Sequence, residues 1–174
     1  MSFANNQVFG DDVTVTYGSA VYPLGSERLV LGSQTGVGDQ VWAFVYNSSG
    51  VDIVVNQLLR HATTSANGTV ALSGGAVNPG YLVGVTQATL PGTTTTSSTG
   101  QVLSGPYGWV LKRGVGNLNV TAGYTQDQAL VASATSGSAA STATAATASF
   151  GYGLGVSSGG AGVAGVAQVY LSII

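Results

Sequence analysis

The stretch "SGPYGWVLKRG" (residues 104–114) contains one of the two tryptophans of the chain and two of its four basic residues. Pro106 and Gly114 bound a run that alternates between large and small side chains, and Arg113 leads into a predicted turn at "RGVGN" (113–117). Because side chains in a β-strand alternate between two faces, this run predicts a strand with one buried aromatic face. That face would consist of Tyr107, Trp109 and Leu111, opposite Gly108, Val110 and Lys112.

Outward from this strand, the chain shows more short runs rich in β-branched and aromatic residues, separated by clusters of Gly, Asn, Asp, Pro, Ser and Thr. Helical periodicity is nearly absent. We therefore predict an all-β fold, a compact barrel or sandwich of short strands. The other predicted strands are Val13–Tyr17, Val41–Tyr46, Val51–Val55, Thr69–Leu72, Tyr81–Thr86, Leu118–Ala122, Ala129–Ala132, Phe150–Val156 and Val166–Ile173.

A weak internal repeat runs through the chain. "NQLLRHATTS" (56–65) aligns with "DQALVASATS" (127–136), and the same offset of 71 residues aligns "YLVGVT" (81–86) with "YGLGVS" (152–157). The repeat predicts two related β units of about 70 residues, at 40–112 and 113–174, within a single β domain at 25–174. The alternative is a coincidence of common strand-and-turn patterns.

Two segments differ in composition from the predicted domain. Residues 1–24 set a few aromatic side chains among Asn, Gly and Ser, and we predict an extended N-terminal arm that folds on a partner. Residues 132–149 contain no large side chain until the next strand begins. This run is either a flexible linker or an extended excursion that orders on a neighbouring subunit.

The chain is unusually poor in charge. Only 6% of its 174 residues are Asp, Glu, Lys or Arg and the net charge is −2, whereas ordinary domains have about 25% charged residues. A nucleic-acid partner bound through its phosphates is therefore not expected. The longest apolar runs are too short to cross a membrane, and the N-terminus lacks the features of a signal peptide. A surface of neutral polar side chains favours packing against another protein.

No motif in the chain indicates catalysis or cofactor binding. His61 is the only histidine, and no "GxSxG" nucleophile elbow accompanies it, although Asp52 and many serines are present. The six carboxylates form no metal-binding pattern. "FGYGLGVSSGG" (150–160) lacks the following helix that a dinucleotide-binding loop needs. We predict a protein that is not an enzyme and has no catalytic, cofactor-binding or metal-binding residues.

Lys112 and Arg113 are informative because the chain has so few charges. Side by side at the end of an aromatic strand, they either protect a strand edge against aggregation or pair with acidic groups on a partner. The first alternative places the two cations at a free strand edge, and the second places them in a partner interface.

The second half of the chain resembles the head decoration (cement) proteins of tailed bacteriophages. The resemblance rests on "YGWVLKRGVGNLNVTAG" (107–123), "DQALVASATSG" (127–137), "FGYGLGVSS" (150–158) and the closing strand "AQVYLSII" (167–174). It covers roughly residues 40–174, and the long Ala/Thr run and the Thr-rich loop at 93–100 depart from the usual pattern.

This resemblance implies a β-barrel or β-sandwich protein of the virion that binds the outer capsid surface and stabilises contacts between major capsid protein subunits. It would be made in the cytoplasm of the bacterial host and would form a homo-oligomer on the capsid. A phage tail or fibre component, or a surface adhesin, is the alternative. The candidate partner-interface residues are Phe3, Phe9, Tyr17, Tyr22, Tyr107, Trp109, Lys112 and Arg113.

Overall fold

The computed structural model describes residues 12–32, 38–63, 68–73, 81–143 and 149–173. These parts of the chain form a ten-stranded sheet and a separate two-stranded sheet, which confirms the predicted all-β fold. The strands are β1 (Glu27–Val30), β2 (Gln40–Asn47), β3 (Leu58–His61), β4 (Thr69–Leu72), β5 (Leu82–Val85), β6 (Thr95–Thr96), β7 (Val102–Ser104), β8 (Tyr107–Val120), β9 (Ala129–Ala132), β10 (Ala139–Thr142), β11 (Gly151–Gly153) and β12 (Gly165–Ser172).

The N-terminal barrel is a closed ring of five strands. Strand β2 pairs in parallel with β4, and the antiparallel pairings β4–β3, β3–β5, β5–β8 and β8–β2 complete the ring. Each of these strands contributes at least one buried apolar side chain to a single cluster, which fills the interior of the barrel. The cluster consists of Ala43, Val45, Ile53, Leu59, Val70, Val83, Leu90 and Val110.

The C-terminal barrel repeats this arrangement. Strand β8 pairs in parallel with β10, and the antiparallel pairings β10–β9, β9–β11, β11–β12 and β12–β8 complete a second ring. Strand order and direction are the same in both rings, and the long strand β8 belongs to both. The chain therefore contains two related β units, as the sequence repeat predicts.

Strand β8 passes from one barrel to the other at a β-bulge. Leu111 and Arg113 lie opposite consecutive residues of β2, Trp42 and Val41, so Lys112 is the extra residue of the bulge. A bulge shifts the alternation of a strand by one residue. Side chains on either side of the bulge therefore face the same core although their numbers change from odd to even.

The predicted turn at 113–117 is wrong, because β8 continues through this segment. Gly114 has a φ of 107°, a conformation that side chains other than glycine rarely adopt. A Cβ atom on Gly114 would also lie 2.6 Å from the carbonyl oxygen of Asp39. This glycine accommodates a bulge within a strand, and in the sequence alone it looks like a turn residue.

The larger core cluster joins the interior of the C-terminal barrel to the outer aromatic face of the N-terminal barrel. It is continuous along β8 because Trp109 and Leu111 precede the bulge and Leu118 and Val120 follow it. The two barrels are thus packed on opposite faces of one strand. The remaining members are Val30, Trp42, Phe44, Leu58, Leu82, Val85, Tyr124, Leu130, Ala139, Phe150, Ala167, Val169, Leu171 and Ile173.

The predicted repeat spacing of 71 residues holds for β3 and β9. It fails for β5 and β11, because Leu59 lies opposite Gly84 whereas Leu130 lies opposite Gly151. Gly84 therefore corresponds to Gly151, whereas the sequence alignment pairs it with Gly155. The loops between equivalent strands differ in length, so one offset cannot align both.

Strand β10 lies inside the low-complexity run at 132–149. Ala139 is fully buried in the larger core cluster and pairs in parallel with Val120. Both sequence interpretations are wrong for Ala139–Thr142, which forms a strand of its own chain; residues 144–148 lie outside the described residues.

Other strand predictions also need correction. The predicted strands Val13–Tyr17 and Val51–Val55 are reduced to single β-bridges, at Tyr17 and Ile53. The sequence interpretation missed β1 and β3 as well as the short hairpin of β6 and β7.

The described part of the predicted N-terminal arm packs on the domain. The backbones of Tyr17 and Tyr107 exchange two hydrogen bonds, with N···O distances of 2.8 and 3.2 Å. Four side chains from this part pack against the larger core cluster: Val13, Tyr17, Tyr22 and Leu24. Phe3 and Phe9 lie outside the described residues.

Candidate partner interface

Four of the predicted interface residues lie together around Phe44. The Phe44 ring makes edge contacts with Tyr17, Tyr22 and Trp109 at centroid distances of 6.0, 5.4 and 5.2 Å. Tyr107 stacks on the same ring at 6.4 Å, and Tyr22 contacts Trp109 at 5.2 Å. We call Phe44 and these four residues the aromatic cluster.

The aromatic cluster is internal to the chain. Phe44 is fully buried and Trp109 is only 6% exposed, so Trp109 is a core side chain. The guanidinium of Arg28 lies 5.8 Å from the centre of its ring and covers it further. Neighbouring parts of its own chain thus cover Trp109 in this structure, and its direct contact with a partner stays a prediction.

Lys112 and Arg113 do not form one cationic patch. Nζ of Lys112 forms an ion pair with Oε1 of Glu27 at 2.5 Å, which ties the bulge to β1. Arg113 is exposed opposite Ser172 of β12, and its side chain has no ion pair or hydrogen bond within the described residues. The two neighbouring cations thus serve different surfaces.

Strand β1 carries a surface that the sequence interpretation missed. Within the described residues, it is the one strand of the ten-stranded sheet with a neighbour on a single side, because the other nine belong to closed rings. Next to this free edge, Leu29 is 54% exposed and Leu31 is 38% exposed, while Val30 between them is buried. The short apolar run "LVL" (29–31), between two charged residues and Gly32, could have revealed the strand.

The C-terminal barrel has a different outer face. With Gly84 equivalent to Gly151, the strand registers make Val85 equivalent to Tyr152 and Leu111 equivalent to Tyr170. The rings of Tyr152 and Tyr170 stack at 5.2 Å, and Tyr152 is 46% exposed. Two aliphatic core positions of the first barrel are therefore surface tyrosines in the second.

The same registers show where the aromatic cluster has its counterpart. Trp109 lies two residues before Leu111, and Gln168 lies two residues before Tyr170, so Trp109 and Gln168 are equivalent. Phe44 pairs with Trp109 and Asn117 pairs with Gln168, so Phe44 and Asn117 are equivalent as well. Gln168 and Asn117 are both exposed. We call the outer surface of the second barrel the tyrosine–amide face; it consists of Arg113, Val115, Asn117, Asn119, Tyr152, Val166, Gln168, Tyr170 and Ser172.

The two possible catalytic residues of the sequence, His61 and Asp52, both lie in the described part of the chain. His61 lies half-buried on β3, and Oδ1 of Asp52 accepts a hydrogen bond from the backbone N–H of Gly92 at 2.9 Å. The described residues contain no group of three or more His, Asp or Glu side chains that could hold a metal ion. None of the helical segments in these residues is long and apolar enough to cross a membrane.

A surface cleft of about 180 Å³ lies at one end of the C-terminal barrel, beside Tyr124, Gln126 and Val156. Burial raises the pKa of Tyr124, and the nearby Asp127 carboxylate raises this pKa further. The Tyr124 hydroxyl donates a hydrogen bond to the carbonyl of Gly155 at 2.9 Å. Tyr124 is thus a buried structural residue, which remains protonated at neutral pH.

No family model and no curated protein matches this sequence. Among solved structures, the chain is similar to the crystal structure of the head fiber gp8.5 N base in bacteriophage phi29, with 15% sequence identity and a TM-score of 0.46. The similarity covers 76% of this chain and 94% of that one. A similarity of this size does not by itself indicate what the chain binds.

Proposed function

We propose that this chain is a capsid decoration (cement) protein, which binds the outer surface of an assembled viral capsid and stabilises contacts between major capsid protein subunits. The proposal is for a non-enzymatic protein of the virion. The observation that carries it is the free edge of β1, with Leu29 and Leu31 exposed beside it. The resemblance of roughly residues 40–174 to phage head decoration proteins names the class of partner.

The free edge provides a specific way of docking. An extended segment of the capsid protein can pair with β1 as an additional strand, so that main-chain hydrogen bonds supply affinity. Side chains next to the edge then supply specificity, and Leu29 and Leu31 offer apolar contacts at alternate positions. Within the described residues, the closed rings leave β1 as the free edge of the ten-stranded sheet, and the separate hairpin of β6 and β7 offers only edges of two and three residues.

Stabilisation of a shell needs only modest affinity at each site. A ligand that binds the assembled lattice alone stabilises it by about 2.7 kcal/mol per site when its concentration is a hundred times its Kd. Many copies add this contribution over the whole shell. A homo-oligomer on the capsid, in which one copy contacts several shell subunits, would strengthen it further.

The first experiment measures copy number in purified virus particles. We expect this chain in a stoichiometric ratio to the major capsid protein and removable without loss of the shell. A few copies per particle would instead favour the tail or fibre alternative, and complete absence from particles would overturn both.

A second experiment tests the edge itself. Leu29→Lys combined with Leu31→Lys should lower the amount of protein bound to particles at least about tenfold, because two lysines oppose strand addition. The melting temperature should change little, because both leucines are exposed. The control is Val51→Lys with Val54→Lys, two valines that are 63% and 49% exposed outside β1. Equal loss of binding in the control pair would contradict docking through β1.

A further inference from the structure

The tyrosine–amide face carries a second inference, which does not depend on capsid docking. It lies on the C-terminal barrel, across strands β8, β12 and β11. Directly opposite pairs place its side chains on one surface: Asn117 faces Gln168, Asn119 faces Val166, and Tyr170 lies between Val115 and Tyr152.

The chemistry of this face differs from that of an ordinary solvated surface. The amide groups of Asn117, Asn119 and Gln168 make no hydrogen bonds to other protein groups within the described residues. They therefore keep their donors and acceptors free, beside a stacked pair of tyrosine rings. Neighbouring strands lie about 4.8 Å apart and alternate residues about 7 Å apart, which is the scale of one sugar ring.

The charge of the tyrosine–amide face limits which classes of ligand can bind to it. Arg113 at one end is the single charged side chain of the face, and it has no ion pair or hydrogen bond within the described residues. One cation does not bind a densely charged polyanion such as nucleic acid. It does complement a ligand that is mostly neutral and carries an acidic group at intervals.

We propose that the tyrosine–amide face binds a polysaccharide. The face of each tyrosine ring that is not stacked on the other ring packs against the C–H face of a sugar ring, and the three amides bond to sugar hydroxyls. Arg113 binds a carboxylate where the polysaccharide has one. A capsid-bound protein would then attach particles to a glycan surface through the barrel that does not dock on the shell.

Binding of the purified protein to an array of oligosaccharides tests the proposal. The probes are neutral cello-, malto- and chito-oligosaccharides and acidic oligogalacturonates. Tyr152→Ala and Tyr170→Ala should each lower the affinity about tenfold, by loss of one stacking surface. Gln168→Ala should lower it several-fold, and Arg113→Ala should weaken binding of oligogalacturonates without affecting neutral probes.

The first barrel offers a matched control. Tyr81 is 43% exposed, nearly the same as Tyr152, and directly precedes the strand equivalent to that of Tyr152. Tyr81→Ala and the double lysine variant of β1 should leave sugar binding unchanged. The proposal is overturned if the wild type binds no probe at millimolar concentration, or if Tyr81→Ala and Tyr152→Ala have the same effect. Self-association lost in Tyr152→Ala, without sugar binding, would overturn it in favour of a second copy.

Discussion

The two barrels have the same strand order but differ in what lies outside them. On the N-terminal barrel, Phe44 and Trp109 are buried beneath residues 17–24 of the same chain. On the C-terminal barrel, the equivalent residues Asn117 and Gln168 face solvent. A closed ring is stabilised by its interior and its backbone pairings, so its outer face is free to be apolar where the chain covers it and polar where it does not.

This difference shows which side chains hold each barrel together. Outer residues of the first barrel belong to the larger core cluster, whereas outer residues of the second do not. Equivalent positions should therefore respond very differently to the same substitution. The equivalent residues Phe44 and Asn117 provide the first test, because one is buried and the other is exposed.

The largest difference is expected between Phe44→Ala and Asn117→Ala. Phe44 is fully buried among four aromatic rings, so its loss should lower the free energy of unfolding by about 3–5 kcal/mol. Asn117→Ala removes an exposed side chain and should change this free energy by no more than about 0.5 kcal/mol. Urea denaturation measures both, and similar losses would mean that the second outer face is also part of the core.

Gly151→Ala and Gly84→Ala test a feature that both barrels share, a glycine packed closely against the backbone of a neighbouring strand. A Cβ atom on Gly151 would lie against the carbonyl oxygen of Tyr170, and one on Gly84 would lie 2.8 Å from the carbonyl oxygen of Leu111. Both contacts involve backbone, which cannot move aside easily. We expect losses of about 3 kcal/mol for Gly151→Ala and about 2 kcal/mol for Gly84→Ala, measured by urea denaturation. Gly155→Ala is the control, because its Cβ has ordinary contacts only.

A smaller difference is expected between two tyrosines that each contact another aromatic ring. Tyr22 contacts both Phe44 and Trp109, so Tyr22→Ala should cost about 1–2 kcal/mol and partly uncover the aromatic cluster. Tyr170 stacks on an exposed ring, so Tyr170→Ala should cost less than about 1 kcal/mol. Thermal unfolding distinguishes them, and binding of a hydrophobic dye should rise for the Tyr22 variant alone.

Much of the fold was predictable because it depends on local patterns. Alternation identified Thr69–Leu72 and Ala129–Ala132 with their observed bounds, and the repeat identified two related units. The sequence did not reveal the path of β8, because a glycine in a bulge and a glycine in a turn look alike. Nor did it reveal β10, whose small side chains have little strand propensity and fit only because the second ring closes there.

The candidate interface was harder to predict, because exposure depends on long-range packing. Aromatic residues in the sequence indicate either a core or a contact surface, and Trp109 proved to be core. Adjacent cations suggest one patch, but the bulge at Lys112 directs it to Glu27 and leaves Arg113 on the other barrel. Only the topology shows that β1 has a free edge.

The two barrels also differ in whether a titratable side chain is buried in them. The pH dependence of stability tests this difference, and its expected effect is the smallest. Ile53 and Leu90 belong to the apolar interior of the first barrel, whereas Tyr124 is buried in the second and its hydroxyl bonds to Gly155. Because the pKa of Tyr124 in the folded protein is raised above the ordinary tyrosine value of about 10, the unfolded chain loses this proton first as the pH rises. Its contribution to stability is therefore complete below about pH 10 and is lost above that pH.

Tyr124→Phe removes both the hydroxyl and its titration. At pH 7 the variant should be less stable by about 1 kcal/mol, the usual net value of one hydrogen bond. Above pH 10 this difference should shrink, because only the wild type is penalised for keeping a buried proton that its unfolded chain has lost. Urea denaturation at pH 7 and at pH 10.5 measures the two differences. A constant difference would show that the hydroxyl titrates alike in both states, and that burial in the second barrel does not perturb it.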